Sequence, residues 1–161
     1  MISEICFDEL LIKSAKVVFE TMIFMDIAES CDPDTVNTSP ESILGSITFK
    51  GSIEGRLSIS CSQECGRLIA INMLGLDTDE SVSDEEVHDA IGEVVNMVMG
   101  SLKGSLDGSP VQIEMSIPSV VKGACLEPCV NDGSNRVSFE AFLDGAYPIN
   151  IQFEYRQAKA R

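Results

Sequence analysis

The sequence predicts an α+β fold, a mainly antiparallel sheet of about six strands packed against a long N-terminal helix and a central helical pair. Apolar residues recur at helical spacing near the start and again between positions 63 and 102, whereas period-two alternation fills the stretches on either side of that helical block. The connections between alternating stretches are short, and short connections cannot make the crossovers that parallel strands require. Strands grouped on both sides of a helical block indicate a layered domain.

Residues 5–22 set Ile5, Leu10, Ala15, Val18 and Met22 among polar residues with no internal Gly or Pro, which predicts the first helix. Residues 23–30 can extend as a strand, and the Pro, Asp, Asn, Thr and Ser of 31–41 predict a loop. ILGSITFKG and EGRLSISCS alternate on either side of Gly51 and Ser52, predicting a hairpin with Ile47, Phe49, Leu57 and Ile59 turned inward. A second helix over 63–74 stops at Gly75, a residue suited to the left-handed conformation at a helix end. After the acidic loop LDTDES, Ser83 and Glu86 form a capping box, and Asp84 and Glu85 favour the positive end of a third helix that continues to Leu102. VQIEMSIPSVV, RVSFEAFLD and YPINIQFEY supply three more strands, with DGSN and DGAYP as turns.

The 161 residues have the length of one domain, 1–161, and a chain of this size buries roughly 68–70% of its unfolded surface. With 44% apolar and 23% charged residues the composition is that of a folded protein. A formal charge of −15 repels phosphate backbones and anionic lipid headgroups, which argues against nucleic-acid and membrane-surface partners. No apolar run reaches the roughly 18 residues that span a bilayer. The start, MISEICFDELLIKS, is acidic where a secretory signal is basic, so the expected location is the cytoplasm.

Cys61 with Cys65 and Cys125 with Cys129 form two C-x3-C pairs, a spacing that zinc sites permit. Cys61, however, closes an alternating strand and Cys65 opens an amphipathic helix, which favours reduced, mostly buried thiols in a reducing compartment. A metal-binding scaffold is the competing reading, and zinc content separates the two. His88 is the single histidine, so a His-rich metal centre cannot be built, and no glycine-rich phosphate loop occurs. Catalysis, if present, borrows groups from a partner.

On the third helix Val87, Ile91, Val94, Val98 and Leu102 fall in one apolar sector, and Asp89, Glu93, Asn96 and Gly100 lie opposite. Glu93 and Asn96 are three residues apart, hence neighbours separated by about 4.5 Å of axial rise and directed outward together. Gly92, Gly100 and Gly104 each cost the helix about 0.5–1 kcal/mol relative to alanine. Small residues beside a polar pair let a second macromolecule approach the backbone. Taken alone, E-x-x-N is an ordinary solvated face, and such glycines equally admit a neighbouring element of the same chain.

The run DAIGEVVNMVMGSLKG, residues 89–104, resembles the signature helix of the CheC, CheX and FliY group of response-regulator phosphatases. The order of elements, with ITFKGSIEGRLSIS before a helix ending in NMLGL, is similar to the CheX branch over residues 5–155. CheC and many FliY proteins carry the motif on two helices, but FDELLIKSAKVVFETM has no Glu with Asn three residues later, which fits the single active helix of CheX. The resemblance implies a CheX/CheC-like fold and hydrolysis of the aspartyl phosphate of a CheY-like response regulator. It implies that Asn96 orients the attacking water and that Glu93 docks on the regulator's active-site lysine. Asp89, Gly92 and Gly100 then stand as candidate partner contacts. No cofactor is expected on this chain itself, because Mg2+ is expected on the partner regulator. The resemblance also implies a homodimer formed through the sheets, for which VQIEMSI and INIQFEY are candidate apolar edges. The alternative is a non-catalytic binding module of the same fold that docks on a response regulator or a flagellar switch component.

Overall fold

The computed structural model describes residue 2, residues 5–36 and residues 39–158, so residues 37 and 38 of the expected loop lie outside the described residues. The helices are α1, Phe7–Val18; α2, Gln63–Leu74; and α3, Asp84–Ser105. The strands are β1, Ile27–Ala28; β2, Glu41–Gly51; β3, Ile53–Ser62; β4, Ile113–Met115; β5, Ser119–Ala124; β6, Asn135–Leu143; and β7, Tyr147–Gln157. They form one sheet of seven strands in the order β1-β6-β7-β3-β2-β4, with β5 also paired to β2, and every pairing is antiparallel.

The expected hairpin is β2–β3, and Ile47, Phe49, Leu57 and Ile59 are all buried. With Ile43, Ile149, Ile151, Phe153, Ala141 and Leu143 they make the sheet face that the helices cover. Phe153 stacks on Phe49 with ring centres 5.0 Å apart, and Phe7 of α1 reaches the same ring at 5.3 Å. Such pairs add about 0.5–1.5 kcal/mol beyond burial. The opposite sheet face is polar, and the segment joining β5 to β6 crosses it. There Glu154, 2% exposed, accepts from the Asn131 N–H at 2.7 Å and lies 3.5 Å from Arg56, whose guanidinium also donates to the Cys129 carbonyl.

Three expectations change. The stretch read as one strand from VQIEMSIPSVV is two strands, β4 and β5, parted at residues 116–118, which raises the count from about six to seven. The INIQFEY strand is no edge, because β7 lies between β6 and β3; the outer position beside β2 belongs to β4 and β5. The first helix does not continue regularly to position 22. A π-turn over Phe19–Ile23 adds a residue to the turn, so Phe19 and Ile23 enter the core and Met22, which α spacing would bury, is 55% exposed.

On α1 the buried side is Phe7, Leu11, Ser14, Ala15 and Val18. Ser14 is 1% exposed and its hydroxyl has no hydrogen-bond partner. An unsatisfied buried hydroxyl costs about 1–3 kcal/mol, and alanine is the better helix former. Ser14→Ala is therefore expected to raise unfolding free energy by about 1 kcal/mol, read from urea titrations of both proteins.

Candidate functional site

The long helix α3 begins where the capping residues place it. The Ser83 side chain accepts from the Glu86 N–H at 3.2 Å, and the Glu86 carboxylate accepts from the Ser83 N–H at 2.8 Å. These bonds hold the Glu86 carboxyl below its usual range. From that start the apolar sector is buried as spaced, with Val87, Ile91, Val94, Val98 and Leu102 all inside. The opposite stripe faces out: Asp89, Glu93 and Gly100 are exposed and Asn96 is half-buried. Among the described residues the side chains of Glu93 and Asn96 have no intramolecular ion pair or hydrogen-bond partner. Both side chains are thus available to a visitor.

Gly45 sets how closely α3 lies on the sheet, since a Cβ there would stand 2.6 Å from Val95 Cγ2 and 2.8 Å from Ile91 Cγ2. The helix rests on bare β2 backbone, with its polar stripe on the far side. Along its flank α3 is fastened to β5. The Lys122 ammonium meets the Asp84 carboxylate at 3.0 Å, and the Nε2–H of His88 donates to the Val120 carbonyl at 3.1 Å.

The glycines divide into two kinds. Gly92 is buried, and a Cβ on it would lie 3.6 Å from Pro118 Cγ and from Val120 Cγ2. Gly92, read from the sequence as a candidate partner contact, thus faces the chain's own β4–β5 segment at a distance that a methyl group would also tolerate. Around Gly100 and Gly104 a Cβ would find nothing within 4 Å. Gly100→Ala is therefore expected to stabilise the helix by about 0.5–1 kcal/mol. If the partner rests on that backbone, the same substitution lowers turnover, so thermal stability and activity move in opposite directions. Asp89 sits exposed one turn before Glu93, with its carboxylate 3.8 Å from His88 Nδ1.

The two cysteine pairs occupy different environments. Cys61 and Cys65 are buried at the junction of β3 and α2, whereas Cys125 and Cys129 are exposed on the segment after β5. A hydrogen bond with Cys61, followed by burial, pushes the Cys65 thiol well up, which disfavours the thiolate a metal needs. Among the described residues no group of three or more His, Cys, Asp or Glu side chains gathers where it could hold a metal ion. No helix among them is long and apolar enough to cross a membrane. An open cavity of about 1020 Å3 lies by the β2–β3 turn and the end of α3, lined by Lys50, Ser52, Lys103 and Gln112 among others, and neither Glu93 nor Asn96 borders it.

Comparison with known proteins bears on this helix directly. The profile of the family described as chemotaxis phosphatase CheX matches residues 43–141, a span that includes Glu93 and Asn96. The CheY-P phosphatase CheX of Thermotoga maritima is 33% identical over 97 residues, which cover 59% of this chain and 62% of that protein. The aligned part is thus less than two thirds of that relative's length. Among solved structures, the chemotaxis protein CheX from Vibrio vulnificus superposes with a TM-score of 0.77 at 24% identity, covering 93% of this chain and 96% of that one. The CheX–CheY–BeF3–Mg2+ complex from Borrelia burgdorferi gives a TM-score of 0.72 at 20% identity, covering 95% and 99%. At those identities the structural likeness is one of fold.

Proposed function

Because the chain belongs to the CheX family of chemotaxis phosphatases, we propose that it hydrolyses the aspartyl phosphate of a CheY-like response regulator, with Asn96 orienting the attacking water and Glu93 docking on the regulator's active-site lysine. The observation that carries this reading is the pair itself: an exposed carboxylate and a half-buried amide on one outward stripe of α3, three residues apart and without partners in the described chain.

Hydrolysis of an acyl phosphate needs a water in line with phosphorus, and charge on the phosphoryl oxygens must be offset. The regulator brings its own lysine and Mg2+ for the second task, so this chain has to supply only direction. An amide can accept from water through its carbonyl and donate to a phosphoryl oxygen through its NH2, without removing a proton. An exposed carboxylate is a weak base at neutral pH but a strong partner for an ammonium, and a charge-assisted hydrogen bond there registers the amide over phosphorus. The solved CheX–CheY pairing in a relative of the same fold supports such a partner.

We also propose a homodimer formed through the sheets. Loading CheY-like regulators with acetyl phosphate and following loss of the phosphoryl group tests the activity. Decay at the spontaneous rate with every regulator from the same cell favours the non-catalytic binding module instead.

A further inference from the structure

The carboxylate and the amide address chemistry at phosphorus, yet a chain of charge −15 must also hold an acidic partner. The junction of β4 and β5 offers a contact. β2 pairs with β4 at Phe49↔Met115 and with β5 at Ser46↔Ser119, so Ile47 and Thr48 stand opposite Ser116, Ile117 and Pro118. One residue too many on the outer strand is a β-bulge, a device that re-aims side chains. Here it turns Ile117 outward until 88% of it is exposed. The bulge is braced, not slack. Ser116 N–H donates to the Thr48 carbonyl at 2.9 Å, and Thr48 donates to Ser116 Oγ through its N–H at 3.1 Å and its Oγ1 at 3.0 Å. Ser116 Oγ donates in turn to the Ile117 carbonyl at 3.0 Å.

The outer strand accompanies α3 in regular steps. Lys122 meets Asp84, Val120 meets His88, and Pro118 lies beside Gly92. Two strand residues advance about 6.6 Å and four helix residues about 6.0 Å, so the two elements keep pace. Continued by one more step, that pace would bring the bulge to the level of Asn96 along α3. On the outward stripe of α3, Lys103 follows Asn96 by two turns, about 10.5 Å along the axis and within about 20° of the same direction. Lys103, exposed and the one Lys or Arg that α3 carries, meets no carboxylate among the described residues, as Lys13, Lys16 and Arg136 also meet none. An unpaired cation on the stripe of so acidic a chain is the charge complement of an acidic phosphorylation pocket.

We propose that Ile117 and Lys103 bracket Asn96 as docking contacts for the phosphorylated receiver, Ile117 entering an apolar rim and Lys103 meeting the carboxylates around the phosphoaspartate. This rests on the phosphatase reading above. The test titrates a CheY-like receiver loaded with acetyl phosphate against wild type, Ile117→Ser and Lys103→Gln. Ile117→Ser is expected to raise KM about tenfold with kcat within about twofold of wild type. Lys103→Gln is expected to raise KM about threefold and to flatten the salt dependence of KM. Melting temperatures stay at the wild-type value, because both side chains are exposed, which separates docking from folding. A wild-type KM in either variant, beside an active wild type, overturns the docking surface and leaves the phosphatase reading standing. Spontaneous decay with wild type present overturns both.

Discussion

Replacing Asn96 by alanine is expected to lower hydrolysis of the regulator's aspartyl phosphate by about 10²–10³-fold, the usual effect of removing one well-placed polar group from the reacting centre. Under the proposed mechanism the loss falls on kcat, because there the amide directs water in the transition state and contributes little to holding the partner. Binding to the regulator should stay within about threefold of wild type, as expected for a residue whose interaction matters only at the barrier. Glu93→Ala should behave differently and weaken both binding and turnover, since a docking carboxylate is engaged before the chemical step. Stopped-flow dephosphorylation together with a binding titration distinguishes these patterns. Full activity in the Asn96 variant would end the assignment. The substitution carries little risk to folding, because the Asn96 side chain is half-buried and has no hydrogen bond to the described residues.

Gly45→Val is expected to be the most damaging substitution for stability near the site. A Cβ at position 45 would stand 2.6 and 2.8 Å from methyl groups of Val95 and Ile91, which are 0% and 1% exposed. Both are β-branched and held near one χ1 rotamer on a helix, so neither can swing aside. Either α3 lifts from the sheet or the side chains leave their wells, and overpacking of this kind costs about 1–3 kcal/mol or more. With a urea slope of about 1–3 kcal/mol per molar, the midpoint should fall by roughly 1–2 M. Gly92→Ala makes a control on the same helix, because its Cβ would meet Pro118 and Val120 at an ordinary 3.6 Å. An unchanged midpoint in Gly45→Val would remove this account of how α3 is seated. A displaced helix also carries Asn96 with it, so the folded remainder should turn over more slowly.

Much of the site was legible in the sequence because it is a local pattern. The start of α3 follows from Ser83 and Glu86, whose two hydrogen bonds need only four consecutive residues. The outward aim of Glu93 and Asn96 follows from the burial of Val87, Ile91, Val94, Val98 and Leu102 one helical period after another. The helix over 63–74 ends where Gly75 takes the left-handed conformation, φ 66°, as its residue type suggests. Met22 escaped the same logic. The π-turn over Phe19–Ile23 shifts the register by a residue, and a regular 3.6 spacing cannot announce such a shift.

Gly92 escaped for another reason. A glycine opposite a buried stripe reads equally as space for a partner or for the chain itself, and only strand order decides between them. The fold brings Pro118 and Val120 to Gly92 from more than two dozen residues away. The same holds for the bulge: the apolar–polar alternation of VQIEMSIPSVV continues across residues that pair with two offset registers of β2.

By itself the sequence determined α2 and α3, the β2–β3 hairpin, the face each of these buries, and the outward stripe of α3 that carries Glu93 and Asn96. All of these depend on periodicities within one element. Tertiary structure alone decided that β7 lies inside the sheet, that Gly45 seats α3, that Gly92 lies against Pro118 and Val120, and that β4 and β5 pair with β2 in two offset registers. Each of those is a contact between segments distant along the chain, where shape complementarity and register, not local propensity, select the partner.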